Sequence, residues 1–505
     1  MKSQLLKGTI ILTAAGIITR LIGFVYRIFL AGSLGETKLG VYQLIFPVYS
    51  ICFTIYAAGI QTAVSQMISH EKEENHSRLL QSGLLLSLSF SIPLSFLLYH
   101  FAPVIAVSFL GTAETIPLLR ILCIIFPFCG ITSIINGYFY GISNAKIPAI
   151  TQIIEQLVRV GFVFLFSLFV LHGNLSTGIA VWGLVLGEFA SNLFNIYHVR
   201  KARRKNPVLP KDMEEGRHSP GIRFSLRRLL ALSVPLTANK LILSLLGSIE
   251  SVLIPAMLMK YGYNHATALA VFGILTGVVM PFITFPGTIT NSLSVLLLPA
   301  ISHASGRGAF HEVQKTTAVT IRYSLLLGVL TSTIFLNYGV LIGTTVFHSD
   351  NAGKLLTALA FLCPFLYVST TLNSIINGLG KTSVTFLNSI LGLSVRIFFL
   401  LVVTPRQGIY GYLLGMIFSQ IFLCLLDGGY LVKNYGIKFH LMNHLIWPYI
   451  FCAGILYLSK IAGIRLAEHY VNSFVPFLCL IPALFFILLY MHVFNLVKWK
   501  EVLPR

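Results

Sequence analysis

What this chain has least of is charge, and above all negative charge. Of its 505 residues 10% are charged and 56% are hydrophobic, whereas a soluble domain carries roughly a quarter charged residues. A soluble core able to bury this much apolar surface would far exceed the usual limit of about 250 residues, so a bilayer is the solvent to expect. Sixteen acidic residues stand against 36 basic ones, a formal charge of +20. The seven cysteines (Cys52, Cys123, Cys129, Cys363, Cys424, Cys452 and Cys479) lie singly in apolar stretches, with no C-x-x-C and no neighbouring histidine pair. They read as small buried hydrophobes, which argues against a disulfide framework and a zinc site. Enzyme signatures are missing too: no G-x-S-x-G, no Walker A lysine loop, no H-E-x-x-H and no paired carboxylates in a polar loop. Without a nucleotide-binding segment, ATP cannot drive transport within this chain, and any coupling must come from a proton, another monovalent cation or the membrane potential. No resident cofactor or metal is expected. Nor is a nucleic-acid partner, because no soluble domain carries an aromatic-interleaved basic patch.

What the chain does have is long apolar segments. A spanning helix needs about 20 mostly apolar residues. Fourteen segments qualify, near 8–31, 42–68, 79–101, 116–141, 148–171, 177–199, 229–258, 266–299, 316–338, 353–378, 383–403, 408–431, 444–463 and 471–496. Lys2 and Lys7 precede the first run as in a signal peptide, but Arg20 interrupts it and no small-x-small cleavage site follows. It therefore reads as an uncleaved first helix. An even number of spans puts both termini on one side. With Lys354 and Lys460, near span ends, counted with the loops, the loops on that side hold 23 Lys and Arg against six on the other, with seven inside spans. By the positive-inside rule both termini are cytoplasmic. Ten of the 23 lie between Arg200 and Arg228, among Pro207, Pro210, Gly216 and Pro220. That stretch reads as a basic cytoplasmic linker that sets topology and attracts anionic phospholipids.

The chain also repeats itself. FPFCGITSIINGYFYG (126–141) aligns without gaps, at an offset of 237, with CPFLYVSTTLNSIING (363–378). The alignment pairs Pro127 with Pro364 and Asn136 with Asn373, and further on Arg159 with Arg396. GLVLGEFASNLF (183–194) aligns with GYLLGMIFSQIF (411–422), pairing Gly183 with Gly411 and Gly187 with Gly415. The second and eighth segments both close on Ile-Ser-His, at Ile68–His70 and Ile301–His303. The expected fold is an all-α polytopic membrane protein of about 14 transmembrane helices, with two parallel six-helix repeats and two C-terminal helices. Its expected parts are an N-terminal bundle (1–199), the linker (200–228), a C-terminal bundle (229–432) and two further helices (433–505). Parallel repeats of this kind build secondary transporters whose substrate site lies between the halves. The Gly-x-x-x-Gly pairs are read as close helix contacts.

Ionisable groups within spans are costly, about 2.5–3.5 kcal/mol each at the helix centre, so each is a functional candidate. There are seven basic and four acidic. Arg20 lies near the midplane of the first helix and Arg27 is seven residues on, along the same face. Two guanidinium groups there suit a pyrophosphate, whose oxygens the planar fork binds in pairs; Arg27 could equally snorkel to the outer interface. Lys240 sits at similar depth in the seventh helix and reads as cavity-facing. Glu250, about 15 Å further along that helix, is too far away to pair with it; it is either a gating or coupling carboxylate or half of a buried ion pair. Glu155 and Arg159, four apart, can neutralise each other. Their repeat mates are Gly392 and Arg396, so Arg396 has no acid on its own helix and joins the substrate candidates. Glu188, whose mate is Met416, is a counterion for Arg396 or Arg20, or a protonatable coupling group. Arg120 and Asp427 read as interfacial and Arg322 as snorkelling.

With a first helix reading KGTIILTAAGIITRLIGFVYR (7–27), then GYFYG (137–141), EQLVR (155–159), GEFAS (187–191) and ITFPGTITNSLSVLLLPAIS (283–302), nearly the whole chain resembles the multidrug/oligosaccharidyl-lipid/polysaccharide flippase superfamily. Within it the likeness is to a sporulation branch and to the lipid II flippases. The resemblance implies a bacterial plasma-membrane protein that moves undecaprenyl-pyrophosphate-linked saccharides outward for peptidoglycan, spore cortex or polysaccharide synthesis, with cell-wall synthesis proteins as candidate partners. It also implies a V-shaped pair of bundles around a basic cavity, a lipid-tail groove bordered by the last two helices, and Arg20 and Arg27 as the first-helix bases. The chain departs from the lipid II flippase pattern in helices two and eight. A basic cavity residue belongs there, but only Gln43, Gln61, Gln66 and Asn291 are present, and Asn291 is kept as a substrate candidate. The competing readings are a multidrug or cation exporter of the same superfamily, a membrane-embedded transferase and a non-transporting sporulation scaffold.

Overall fold

A computed structural model describes residues 2–71, 73–169, 175–205, 222–437, 442–470, 475–494 and 496. It contains thirteen helices long and apolar enough to cross a membrane, or fourteen when one bent pair is taken as a single span. They are α1 (Lys2–Leu34), α2 (Glu36–His70), α3 (Asn75–Phe109), α4 (Thr115–Leu122 and Ile125–Gly141, bent by 43°), α5 (Lys146–Phe169), α6 (Thr177–Lys205) and α7 (Ile222–Tyr261). Then follow α8 (His265–Thr284), α9 (Phe310–Val346), α10 (Asp350–Gly378), α11 (Thr382–Val402), α12 (Ile409–Tyr435), α13 (Met442–Ala467) and α14 (Val475–Val493). Each corresponds to one segment read from hydropathy. The eighth differs in form: it stops at Phe285–Pro286 and resumes as a second helical arm, Gly287–Gly306, because proline supplies no N–H to continue the ladder. The basic linker is shorter than expected, since α6 continues to Lys205 and α7 begins at Ile222; 206–221 lie outside the described residues.

By packing, the chain forms two compact units, Met1–Ala256 and Met257–Arg505. The division falls within α7, whose first 35 residues, Ile222–Ala256, belong to the first unit; the bundle boundary expected at 229 rests on repeat kinship instead. In the first unit α3 packs on α4, α4 on α6, α5 on α6, and the end of α2 on α4. In the second, α9 packs on α10, α10 on α12, α11 on α12, and the second arm of α8 on α10. Each pairing is the other moved on by six helices. The second unit adds α13, laid on α9, and α14, laid on α13. Hydroxyls pin this addition: Ser332 meets Tyr449 (3.2 Å), Tyr338 meets Ser459 (2.8 Å), and Ser459 donates to the Cys479 carbonyl (2.7 Å).

The aligned prolines explain matching breaks. The second arm of α4 starts at Ile125 with Pro127 as its third residue. In α10 a 3₁₀ turn, Leu359–Phe361, precedes an arm that starts at Leu362 with Pro364 as its third. In a first turn the backbone N–H has no helical acceptor, so proline fits there and disfavours helix immediately before it. The glycine pairs do what their spacing suggests. A Cβ on Gly187 would lie 2.7 Å from the Glu155 carbonyl oxygen, and one on Gly415 would lie 2.4 Å from Phe399 Cβ, so α6 meets α5 and α12 meets α11 at backbone distance.

Candidate functional site: charged side chains within the spans

The in-span acids and bases are treated differently by the fold. Glu188, Glu250 and Asp427 are buried, at 5%, 4% and 2% exposure, and Glu155 is half-buried in an ion pair with Arg159 one turn along α5. None of the seven in-span bases is buried: Arg20, Arg120 and Lys240 are exposed, and Arg27, Arg159, Arg322 and Arg396 are half-buried. Burial of an uncompensated carboxylate is expensive, so the acids sit among polar neighbours inside the bundles.

In the first unit those neighbours form a cluster. Glu188 on α6 faces Thr132 on α4, and its electrostatic neighbours are Glu155 and Arg159 on α5. Tyr49 on α2 meets Cys129 Sγ at 3.3 Å, and Asn192 Nδ2 donates to the Phe128 carbonyl (3.0 Å) and to Thr132 Oγ1 (3.4 Å). Glu188 Oε1, Arg159 Nε, Tyr26 Oη and Tyr56 Oη are buried polar atoms without a hydrogen-bond partner among the described residues. Such atoms in a polar, enclosed place are where ordered water or an ion is held. Glu188 was read as a counterion for Arg396 or Arg20; here it lies beside the Glu155–Arg159 pair.

Arg20 is exposed halfway along α1 and makes no ion pair among the described residues. Arg27, half-buried, has Tyr42, Arg159 and Tyr26 as its electrostatic neighbours, so its surroundings are more protein-like than those of a snorkelling residue. Lys240 was read as facing a cavity; its ammonium instead donates to the Ala58 carbonyl (2.7 Å) and to Thr62 Oγ1 (2.8 Å) of α2. It therefore has no bond to Glu250. Arg396 lies half-buried on α11, where the mate of Glu155 is the buried Gly392. Asn291 is half-buried in the second arm of α8. Asp427, read as interfacial, is buried and accepts a 2.7 Å bond from Asn388 Nδ2. Arg120 and Arg322 lie over the rings of Tyr99 and Tyr323, each 5.2 Å from the centroid.

The residues that Lys240 joins belong to a longer seam that sequence reading missed. Arg228 bonds Glu71 (2.6 Å), Thr237 lies against Gly59, Ser244 meets Ser50 (2.9 Å), and Ser248 donates to the Pro47 carbonyl (3.0 Å). Thr237, Lys240, Ser244 and Ser248 recur at three- and four-residue spacing, one face of a helix; that run of small polar residues was the available signal. At the Glu71 end of the seam the Arg228 guanidinium holds the Glu71 carboxyl below the usual carboxylate range, against a smaller opposing effect of desolvation.

In the second unit a cavity of about 770 Å³ lies between the start of α13 and the end of α14, lined by Asn443, His444, Trp447, Phe451, Tyr490 and Phe494, with the Phe451 and Tyr490 rings stacked 3.8 Å apart. Among the described residues, no His, Cys, Asp or Glu side chains gather in threes to hold a metal ion.

A helical membrane protein built on one packing plan used twice, with its in-span bases at least partly accessible and three of its four in-span acids buried, defines the class. Residues 5–305 match the family model described as polysaccharide biosynthesis protein, and 241–402 match the MatE model. The chain belongs to the polysaccharide biosynthesis protein family, within the multidrug/oligosaccharidyl-lipid/polysaccharide flippase superfamily. It is similar to stage V sporulation protein B of Bacillus subtilis, 27% identical with 88% of this chain and 87% of that one covered. It is also similar to the lipid II flippase MurJ of the same organism, 22% identical with 79% and 77% covered. Its fold is that of a lipid II flippase MurJ structure in an inward closed conformation, with a TM-score of 0.74 over 98% of this chain and 100% of that one at 15% identity. It is a multi-pass membrane protein whose named relatives include a flippase.

Proposed function

We propose that the chain carries an undecaprenyl-pyrophosphate-linked saccharide, a precursor of peptidoglycan, spore cortex or another polysaccharide, across the bacterial plasma membrane by alternating access. The observation that carries this reading is the sorting of charge: every in-span base remains at least partly accessible, while three of four in-span acids are buried. An accessible guanidinium at mid-span is costly against lipid, about 2.5–3.5 kcal/mol. It is stable facing water and an anion, which is what a pyrophosphate supplies. Arg20 and Arg27 are the first contacts in this reading, with Lys240, Arg396 and Asn291 completing the headgroup site. A multidrug or cation exporter needs the opposite sorting.

Glu188, beside Glu155 and Arg159, is the coupling group in this proposal, taking up a proton or a monovalent cation in a place that already has unpaired polar atoms. The apolar cavity between α13 and α14 suits an isoprenoid tail. Both termini are cytoplasmic, and the basic stretch 200–228 rests on anionic headgroups, with Lys201 over Tyr197 and Arg228 over Phe224 as its ordered edge. Cell-wall synthesis proteins are the natural protein partners, because they make and use such a substrate.

The test is movement of a labelled lipid-linked precursor across proteoliposomes, with and without an imposed potential or pH gradient. The wild type should move it and Arg20→Ala, reconstituted at equal density, should not. Full activity in Arg20→Ala ends this assignment, and inactivity of the wild type favours a scaffold.

A further inference from the structure

The α2–α7 seam has a composition unlike the contacts that build the bundles. Only its Glu71–Arg228 end is anchored in apolar core, where Leu229 packs with Val64, Met67, Ile68 and Leu79. Beyond that it consists of one close glycine contact and isolated hydrogen bonds, at Thr237–Gly59, Lys240–Ala58/Thr62, Ser244–Ser50 and Ser248–Pro47. Lys240 is the only charged member of this stretch. Its target has a structural cause. Residues Thr54–Ala58 form a π turn, which shifts the i→i+4 ladder of α2 out of register. At the end of that turn the Ala58 carbonyl accepts from two side chains, Lys240 Nζ and Thr62 Oγ1. A neutral carbonyl and a hydroxyl are weak partners for an ammonium. An anionic acceptor adds direct charge–charge attraction that these two lack, and no carboxylate pairs with Lys240 among the described residues.

We infer that Lys240 is an exchangeable latch: in this conformation its ammonium holds α7 to the π turn of α2, and an incoming pyrophosphate takes the same ammonium away, so that headgroup binding releases the seam. The inference rests on the pyrophosphate reading above and adds to it the link between occupancy and movement. A ligand shifts a conformational equilibrium only through its different affinity for the two states. Here the difference is built in, because one ammonium serves either the carbonyl or the phosphate. Linkage then requires that weakening the latch strengthens apparent substrate binding. Thr62 is the residue to alter, since its hydroxyl contacts Lys240 and has no assigned contact with the substrate.

Ser50 and Ser244, whose hydroxyls are 2.9 Å apart, report the seam when both are replaced by cysteine. In proteoliposomes the 50–244 disulfide, identified by mass spectrometry so that the native cysteines, five of the seven buried, do not interfere, should form readily without ligand. Undecaprenyl pyrophosphate should reduce its yield several-fold, and inorganic pyrophosphate, supplied in a parallel arm, tells whether the phosphates alone suffice. In Lys240→Met the lipid should leave the yield unchanged. Thr62→Val should lower the ligand-free yield and tighten apparent binding of undecaprenyl pyrophosphate roughly three- to tenfold, the equivalent of about one ordinary intramolecular hydrogen bond; a purely structural role for Thr62 predicts weaker binding. Binding of the lipid with no change in cross-linking overturns the latch and spares the substrate assignment. Failure of the wild type to bind undecaprenyl pyrophosphate overturns both.

Discussion

The two six-helix sets share a packing plan but treat a shared arginine differently. On α5, Arg159 is paired with Glu155, and a second carboxylate, Glu188, lies against the pair from α6. On α11 the corresponding Arg396 has Gly392 where Glu155 stands and Met416 where Glu188 stands; the acid of that set is Asp427, further along α12 and bonded to Asn388. One copy has thus become a mixed-charge polar cluster, while the other keeps its base with no acid at the positions of Glu155 and Glu188. A duplicated fold can hold its frame, set by prolines and glycines, while its charges diverge into separate tasks. In the proposed cycle the α5–α6 cluster of the N-terminal copy takes the coupling ion, while Arg396 of the C-terminal copy joins Arg20 and Arg27 in holding the anion.

The sharpest way to break this comparison is to remove the two arginines in turn. Arg159→Met leaves Glu155 and Glu188 facing each other without a base, and loss of one partner of a buried pair typically costs about 3–5 kcal/mol. Thermal unfolding in detergent should show a large drop, largely restored in Glu155→Gln/Arg159→Met. Arg396→Met should leave unfolding nearly unchanged and lower transport instead. Equal destabilisation by both would erase the distinction. Next in size is Glu188→Gln, which preserves shape and removes the titrating group. Its transport in proteoliposomes should no longer respond to an imposed pH or cation gradient, with folding intact. A gradient response equal to wild type would move coupling elsewhere, with Asp427 the next acid to test.

Much of this was legible before any coordinates. Fourteen spans, their order, the aligned Pro127 and Pro364, and the close contacts at Gly187 and Gly415 follow from hydropathy, helix-start stereochemistry and the size of glycine, all of which are local. The individual charges were less legible. Glu155–Arg159 is an i,i+4 pair and could be read directly, but Glu188 joining it depends on how α6 lies on α5 and α4. Asp427 looked interfacial because it lies near a span end; its burial depends on Asn388, 39 positions earlier. Lys240 was read as facing a cavity, and its bonds to Ala58 and Thr62 were not foreseen, since helical spacing fixes the face a residue shares with Thr237 and Ser244 but not the helix that face meets. The π turn that ends at Ala58 has no composition signature.

Smaller effects probe the shared frame. Gly187→Leu and Gly415→Leu each force a side chain into a backbone-distance contact, and overpacking of this kind costs about 1–3 kcal/mol. Gly187 abuts the Glu155 carbonyl itself, whereas Gly415 abuts the Phe399 side chain. The Gly187 variant should therefore also disturb the Glu155–Arg159 pair and lose the gradient response, while the Gly415 variant should lose stability alone. Matching phenotypes would mean that the two glycine contacts are equivalent despite the different charges beside them.

The smallest expected effect is at the Glu71–Arg228 end of the α2–α7 seam. Glu71 and Arg228 are partly exposed, at 19% and 49% of their side-chain surface, so solvent screening limits their pair to at most about 1 kcal/mol. Its sign against pH is fixed. Glu71 titrates below its unfolded value of about 4.3, chiefly because it bonds Arg228. The contribution is thus fully present above that value and is lost as pH falls through the lower, folded one. Hydrogen exchange in the last turn of α2 should quicken modestly over that acid interval in the wild type. In Glu71→Gln it should already be quicker at neutral pH and show no further step, and 0.5 M salt should narrow the gap between the two proteins. A step that persists in Glu71→Gln would assign the acid sensitivity to another group and leave the seam resting on Lys240 and its neutral partners.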